Sequence, residues 1–276
     1  MKASKRFIFA ALPALLLGGC FFTDHNIPTP VEPEPYPQDS TTVTPVKYST
    51  KVKIKPSAAF DCPVEKTDLF VYADTLQSHL QGFGEIEFEL QLLPDKIYTL
   101  VAVANAFGSF NDAALSHYDV WNSMSYNLKY ERAGKPLMRG KSVCLAGRST
   151  ELTVEPIGSI IQMRSIAQII SDETIVESPR VWLENVNSSA KLFRESPYAA
   201  EELSDTSPVL LNDIGLYTQY PDIQFYIYPN EQPSSTVNPS LKLILEYELN
   251  GITRRYEQEI QPILRNTVIP IDIELL

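Results

Sequence analysis

The sequence is poor in the residues that carry catalytic and metal chemistry. Its 276 residues include only three cysteines and three histidines. It contains no HExxH, CxxC, phosphate-binding loop or dinucleotide fingerprint, which are the local patterns of common metal, redox and nucleotide sites. The histidines His25, His79 and His117 are scattered along the chain, and we expect them to be solvated. We therefore predict no catalytic residue, no metal, no cofactor and no enzymatic activity.

Basic residues are also scarce. The chain has 23 lysines and arginines against 34 aspartates and glutamates, which gives a formal net charge of −11. Proteins that bind nucleic acids rely on clusters of lysine and arginine to neutralise phosphates. The acidic balance argues against a nucleic-acid partner.

The apolar run near the start, residues 7–17, is too short to cross a membrane, which takes about 20 residues. Basic residues precede it, and Leu17-Gly18-Gly19-Cys20 follows it. This arrangement is typical of an export signal. The last four residues resemble the lipobox of bacterial lipoproteins, which implies that Cys20 is acylated and anchors the chain in the outer membrane. The alternative is an ordinary secretory signal with an unmodified cysteine.

Two cysteines remain, Cys62 and Cys144. An exported chain meets an oxidising compartment, where an even pair can form a disulfide. Two buried free thiols are the equal alternative, because the sequence does not give the distance between them.

Composition divides the chain into four segments. We predict a signal peptide over 1–19 and a tether over 20–46, where closely spaced prolines favour extended, semi-rigid backbone. The remaining residues suffice for two domains, predicted over 47–156 and 157–276 with a seam near Pro156-Ile157-Gly158.

In residues 47–276, apolar and polar residues mostly alternate with a period of two, which predicts an all-β fold. Apolar and charged residues alternate over 85–92 and over Lys51–Lys55, where the lysines suggest an edge strand. The segment 159–170 also fits a helical stripe, but its isoleucines favour a strand. Further strands are predicted over 68–73, 97–105, 142–146, 181–186, 223–228, 241–249 and 268–275.

Four stretches resemble the fimbrillin superfamily of the Bacteroidetes, the subunits and anchors of surface fimbriae. They are LQLLPDKIYTLVAVANAFG (90–108), KPLMRGKSVCL (135–145) with a Met-x-Gly turn, RVWLENVNSSAKLF (180–193), and FYIYPNEQ (225–232) with the block 241–275. The resemblance implies two tandem transthyretin-like Greek-key β-sandwich domains.

The resemblance also implies assembly by strand exchange. In the family, proteolysis removes the first strand and opens a groove for a neighbour's donor strand. The matching segment here is 47–55, and the cut would follow one of four lysines: Lys47, Lys51, Lys53 or Lys55. Absence of a cut, which would keep the lipid and suit an anchor subunit, remains open.

The segment 268–275 has one fully apolar face, formed by Ile269, Ile271, Ile273 and Leu275. Such a strand must cover a groove. It either completes its own domain or is donated to a neighbour, where backbone hydrogen bonds give affinity and side-chain pockets give register.

We therefore predict a lipid-anchored structural subunit of cell-surface fimbriae that joins other fimbrial subunits and supports adhesion to a host or bacterial receptor. The alternative is a surface glycan-binding β-sandwich lipoprotein that works with an outer-membrane transporter. The aromatic cluster Tyr217, Tyr220, Phe225, Tyr226 and Tyr228 could stack on a sugar, but alternating aromatics more often form core.

Overall fold

A computed structural model describes residues 45–84, 86–132, 134–169, 176–260 and 262–275. The predicted signal, Cys20, His25 and the tether as far as residue 44 lie outside these residues. In the part of the chain that is described, no helix is both long and apolar enough to cross a membrane.

The described residues form nineteen β-strands, one short α-helix and one 3-10 helix. The first eight strands are β1 (Tyr48–Pro56), β2 (Lys66–Tyr72), β3 (Leu76–Phe83), β4 (Glu87–Leu92), β5 (Ile97–Ala104), β6 (Ser125–Asn127), β7 (Met138–Leu145) and β8 (Thr150–Pro156). The next six are β9 (Ser159–Gln168), β10 (Glu177–Glu184), β11 (Val186–Asn187), β12 (Ser189–Lys191), β13 (Leu203–Ser204) and β14 (Val209–Leu210). The last five are β15 (Tyr217–Gln219), β16 (Gln224–Ile227), β17 (Leu241–Leu249), β18 (Ile252–Ile260) and β19 (Val268–Leu275). The helices are α1 (Val120–Ser123) and the 3-10 turn Leu128–Tyr130. The all-β prediction is confirmed, and 159–168 is a strand.

The first seven-stranded sheet has the order β3-β2-β5-β7-β8-β1-β4. Strands β7 and β8 pair only near Met138 and Arg139, so the sheet folds over on itself at this point. Strands from both ends of the sheet contribute to one buried apolar cluster, which includes Val52, Leu69 and Leu90. The arrangement is sandwich-like, as predicted.

Gly140 makes the fold between β7 and β8 sterically feasible. A Cβ atom at this position would lie 2.0 Å from the carbonyl oxygen of Thr153. Only glycine permits such close backbone approach. The resemblance to the fimbrillin superfamily placed a Met-x-Gly turn at this position. That prediction is wrong, because Gly140 lies within β7 and allows two strands to pack closely.

The second group of strands surrounds another apolar cluster. One sheet has the order β14-β10-β17-β18, and the other has β9 flanked by β15 and β16 on one edge and by β19 on the other. Their inward faces supply residues such as Met163, Leu183 and Leu243, all fully buried. This arrangement is also sandwich-like.

A third apolar cluster joins the two groups of strands. It contains Trp121 and packs side chains of β2 and β5 against residues from the second half of the chain, among them Leu192, Phe193 and Tyr228. Strands β6 and β12 pair across the same junction. Residues from Pro45 onward form one compact unit. The division into domains at residue 156 stays a prediction.

Candidate functional site

The strand β19 lies parallel to β9 and extends its sheet by one strand. Its register runs from Val268 opposite Ile160 to Leu275 opposite Gln168. Ile271, Ile273 and Leu275 are buried in the second cluster, and Ile273 is 1% exposed. Ile269 packs against the same cluster from a half-buried position. The four predicted side chains therefore share one face, and in this structure that face fills the protein's own groove.

Polar contacts fix the register on the opposite face of β19. The Ser165 hydroxyl donates to Oδ1 of Asp272 at 2.7 Å, and Arg164 forms an ion pair with the same carboxylate. The hydrogen bond from Ser165 and then that from Arg164 hold the pKa of the Asp272 carboxyl below its usual value. The register shifts by one residue at this point, which is a β-bulge.

The outer edge of β19 has no strand partner among the described residues, because β9 is the only strand that pairs with it there. Edge strands are held on one side only and present free backbone groups to another chain. This position suits a strand that can leave its groove.

Strand β1 lies between two neighbours. It is antiparallel to β4 and parallel to β8, and the sequence prediction of an edge strand is therefore wrong. Val52 and Ile54 are fully buried, whereas Lys51, Lys53 and Lys55 are exposed on the outer face of the sheet. Alternation with a period of two indicates that one face of the strand is buried. It does not indicate how many strands pair with it.

The four predicted cut sites differ in their surroundings. Lys47 precedes β1 and is exposed, whereas Lys51, Lys53 and Lys55 lie in a strand paired on both sides. A protease binds its substrate as an extended, unpaired segment, so a cut within β1 requires local opening of the sheet.

Asn266 connects the ends of the two candidate exchange strands. Its side-chain amide donates to the carbonyl oxygen of Ser57 at 3.0 Å, and its side-chain oxygen accepts from the backbone N–H of Ala59 at 2.8 Å. Ser57 follows β1 directly, and Asn266 lies just before β19 with a left-handed φ of 53°. Asn266 lies within the block 241–275 that resembles the fimbrillin superfamily, but no local pattern encodes its contact with Ser57 and Ala59.

In the structure Cys62 is a half-buried free thiol and Cys144 is a buried one. The Asn105 side chain bonds the carbonyls of both Pro63 and Pro136, so Cys62 lies near the start of β7. Cys144 lies near the far end of β7, and Cys62 packs against the apolar cluster that contains it. Burial raises the pKa of Cys62 to about 12 and that of Cys144 to about 11.

Glu131 is a titratable group that sequence reasoning missed. Its carboxylate turns inward, accepting from the Leu137 backbone N–H and from the Tyr228 hydroxyl, both at 2.9 Å. Burial is the main cause that raises its pKa to about 7, although these two hydrogen bonds act in the opposite direction. Residue 131 gives no sequence signal, because its partners lie up to 97 residues away.

We expect stability to fall as pH rises through this range. The pKa of Glu131 in the folded state lies above its unfolded value of 4.5, so the folded state binds the proton more tightly. The free-energy cost of burying the ionised carboxylate is therefore absent below pH 4.5 and complete above about pH 7. The residue is half-buried, and we expect a loss of about 2 kcal/mol between pH 5 and 8. The variant Glu131→Gln mimics the protonated form. Its free energy of unfolding, measured with urea at several pH values, should lack this loss between pH 5 and 8. An unchanged pH profile in the variant would contradict the assignment.

His79 is not solvated as expected. Its Nε2 lies 3.0 Å from Asp68 Oδ1, its Nδ1 lies 2.7 Å from Asp112 Oδ1, and its ring stacks on Phe70. His117 is exposed. Within the described ranges, no group of three or more histidine, cysteine or acidic side chains is placed to hold a metal ion.

The predicted aromatic cluster is mostly core. Tyr220, Phe225 and Tyr228 are buried, which confirms the core interpretation for these residues. Tyr226 is half-buried, and Tyr217 is exposed on β15.

Comparison with solved structures identifies the architecture. A candidate cell adhesion protein from Parabacteroides distasonis superposes with a TM-score of 0.61 at 12% identity and covers 83% of this chain and 88% of its own. A fimbrial assembly protein from the same species gives 0.57 at 14%, covering 82% and 91%, and a fimbrilin from Porphyromonas gingivalis gives 0.56 at 13%, covering 77% and 80%. The chain has a fimbrillin-like fold. No protein-family model and no curated protein matches the sequence.

The fimbrillin-like fold agrees with the two sandwich-like groups of strands. At 12–14% identity, the similarity concerns the fold alone. Function must therefore be argued from the strands and side chains of this chain.

Proposed function

We propose that this protein is a structural subunit of cell-surface fimbriae. It is held at the outer membrane by an acylated Cys20, joins other fimbrial subunits by exchange of a β-strand, and supports adhesion without catalysing a reaction. The observation that carries this proposal is β19, an edge strand that fills an apolar groove with Ile271, Ile273 and Leu275. The fimbrillin-like fold supports the same function.

Strand exchange follows from what the groove recognises. The groove beside β9 binds a parallel backbone and three apolar side chains spaced two residues apart. A β19 segment from a neighbouring subunit offers the same features, and strand addition of this kind combines backbone hydrogen bonds with side-chain pockets. The apolar burial that stabilises the monomer would then stabilise a contact between subunits.

Removal of β1 would create a second groove. Strands β4 and β8 would lose their shared partner, and the positions of Val52 and Ile54 would become an empty apolar slot. A slot of this kind favours an incoming strand with alternating apolar residues, a pattern that β19 has. A subunit that keeps β1 keeps this slot closed, which suits a terminal or anchoring position.

A reversible lock on β19 tests the exchange directly. Ser165 and Asp272 are register partners on β9 and β19, and their side chains touch, so the variant Ser165→Cys/Asp272→Cys should form a disulfide that holds β19 in its own groove. After limited trypsin treatment, we expect the oxidised variant to stay monomeric on a native gel. Reduction should restore the ladder of polymers formed by the unmodified protein.

A second disulfide is the matched control. The variant Glu248→Cys/Thr253→Cys bridges register partners on β17 and β18, which no exchange step separates. It should polymerise in both redox states. Polymers from the oxidised Ser165→Cys/Asp272→Cys variant would refute donation of β19, and monomers from every sample would favour the glycan-binding alternative.

A further inference from the structure

The structure presents an open groove beside the junction of the two groups of strands. Three aromatic rings line it, those of Phe107, Tyr126 and Tyr130, together with three polar residues, Ser125, Asn127 and Ser189. Its volume is about 390 Å³, within the range of about 300–1,000 Å³ typical of small-molecule sites. We call it the aromatic groove. We propose that it binds the pyranose rings of a neutral polysaccharide.

The rings are exposed although the backbone beneath them is fixed. Phe107 is 63% exposed and Tyr130 is 44% exposed. Their rings stack with centroids 6.0 Å apart and planes 11° from parallel, and Tyr126 meets Tyr130 edge-on at the same distance. Isolated apolar residues are common at surfaces, but a contiguous, ordered aromatic patch indicates an interaction site.

The loop that carries Phe107 is anchored on both sides. Asn105, with a left-handed φ of 61°, accepts from the Glu65 backbone N–H and donates to the carbonyls of Pro63 and Pro136. Lys66 donates to the carbonyl of Gly108, whose φ is 90°. Phe107 itself donates its backbone N–H to the Tyr126 hydroxyl at 2.8 Å. The backbone that carries the ring is therefore held in place, which lowers the entropic cost of binding.

The chemistry of the groove matches a sugar. Aromatic faces carry partial negative charge and attract the polarised C–H bonds on the face of a pyranose ring. Ser125 and Asn127 supply hydroxyl and amide groups, and they are bonded in turn to the carboxylates of Glu201 and Glu202. An aromatic surface with hydroxyl, amide and carboxylate groups at its side provides partners for one face of a sugar ring and for its hydroxyl groups.

Charge selects among carbohydrates. Glu201 and Glu202 lie next to the polar residues of the groove. Arg194 pairs with Glu201 at 3.5 Å, so the excess negative charge comes from Glu202 and from the chain as a whole, which carries a formal charge of −11. The Lys129 ammonium lies 4.9 Å from the centroid of the Tyr130 ring and offsets part of this charge. Carboxylates beside the groove repel uronic acids and sulfated sugars, so a neutral polysaccharide is the expected ligand.

This inference names a receptor class for the proposed adhesive function, and it does not depend on strand exchange. Binding is measured on the monomer, so failure of the sugar site and failure of polymerisation are separate results. The sequence missed the groove because its lining residues come from distant segments, although the Asn-Ala-Phe-Gly run marks a turn with an aromatic at its tip.

Affinity gel electrophoresis with the full chain tests the proposal. The gels contain galactomannan, arabinoxylan or dextran as neutral probes, and polygalacturonate as an acidic probe. We expect retardation by at least one neutral polysaccharide and none by polygalacturonate. The variants Phe107→Ala and Tyr130→Ala should each weaken binding by at least about tenfold.

Phe83→Ala is the matched control, because Phe83 is 71% exposed on β3 and lies outside the aromatic groove. It should bind as the unmodified protein does. Circular dichroism should show that all three variants are folded, as expected for exposed positions. Three results would overturn the proposal: no retardation by any neutral probe, equal binding by the Phe107→Ala variant, or equal retardation by the acidic probe.

Discussion

Replacing Ile273 by aspartate is expected to lower the free energy of unfolding by more than about 5 kcal/mol. The substitution removes a large apolar side chain from the second cluster, which alone is worth about 2–5 kcal/mol. It also places a carboxylate at a site that is 1% exposed and faces Ile166 across the β9–β19 pair. Burial of an unpaired charge adds several kcal/mol, which is comparable to the whole stability of many domains.

The measurement is urea unfolding followed by circular dichroism and tryptophan fluorescence. Glu274→Ala is the control, because residue 274 is next to Ile273 and points to solvent, and we expect it to change stability by less than about 0.5 kcal/mol. Similar stabilities for the two variants would mean that β19 does not occupy its own groove in solution. That result would indicate a subunit whose β19 is already free for donation.

The second large effect is expected at the third apolar cluster. Trp121 is fully buried between Phe70, Phe110 and Phe193, and its Nε1 donates to the Tyr72 hydroxyl at 2.9 Å. Replacing it by alanine should cost about 3–5 kcal/mol, because the cavity sits where elements from both halves of the chain meet. We also expect unfolding to lose cooperativity, since each group of strands keeps a separate apolar cluster of its own.

The other tryptophan is a natural control for this experiment. Trp182 is half-buried on the outer face of β10, where its Nε1 donates to Glu184 and Arg255 lies over its ring. Trp182→Ala should cost about 1 kcal/mol or less. Each variant leaves one tryptophan as a fluorescent probe, so the two unfolding curves report separately on the junction and on β10. Equal losses would contradict the role of the third cluster.

Local pattern predicts this fold well where a strand has one buried face. The alternation in β19 gave the correct face for Ile271, Ile273 and Leu275, and the isoleucine-rich β9 is a strand as predicted. The same pattern failed at β1, because alternation is identical for an edge strand and for a strand with two neighbours. Gly140 was misread for a related reason: close approach of β8 depends on a strand that lies elsewhere in the sequence.

The missed side chains share a different property. Glu131 and Asn266 are defined by partners far along the chain, with separations of 97 residues from Tyr228 and 209 from Ser57, and His79 also contacts Asp112, 33 residues away. Single-sequence reasoning has no access to such contacts. It can flag residue types, as it did for the three histidines, but their environment is set only when the strands have packed.

The pairing of β19 with β9 and of β1 with β8 brings together segments that are distant along the chain. Arg164 and Asp272 are 108 residues apart, and Gly147 and Thr50 are 97 apart, whereas hairpins such as β17–β18 join adjacent strands. Contacts this far apart in sequence form more slowly than hairpins, so we expect both strands to pair later than β17 and β18 do. In the function we propose, a subunit that has just been exported would therefore hold both grooves open for a time. During that interval its own β19, favoured by high effective concentration, would compete with the strand offered by another subunit.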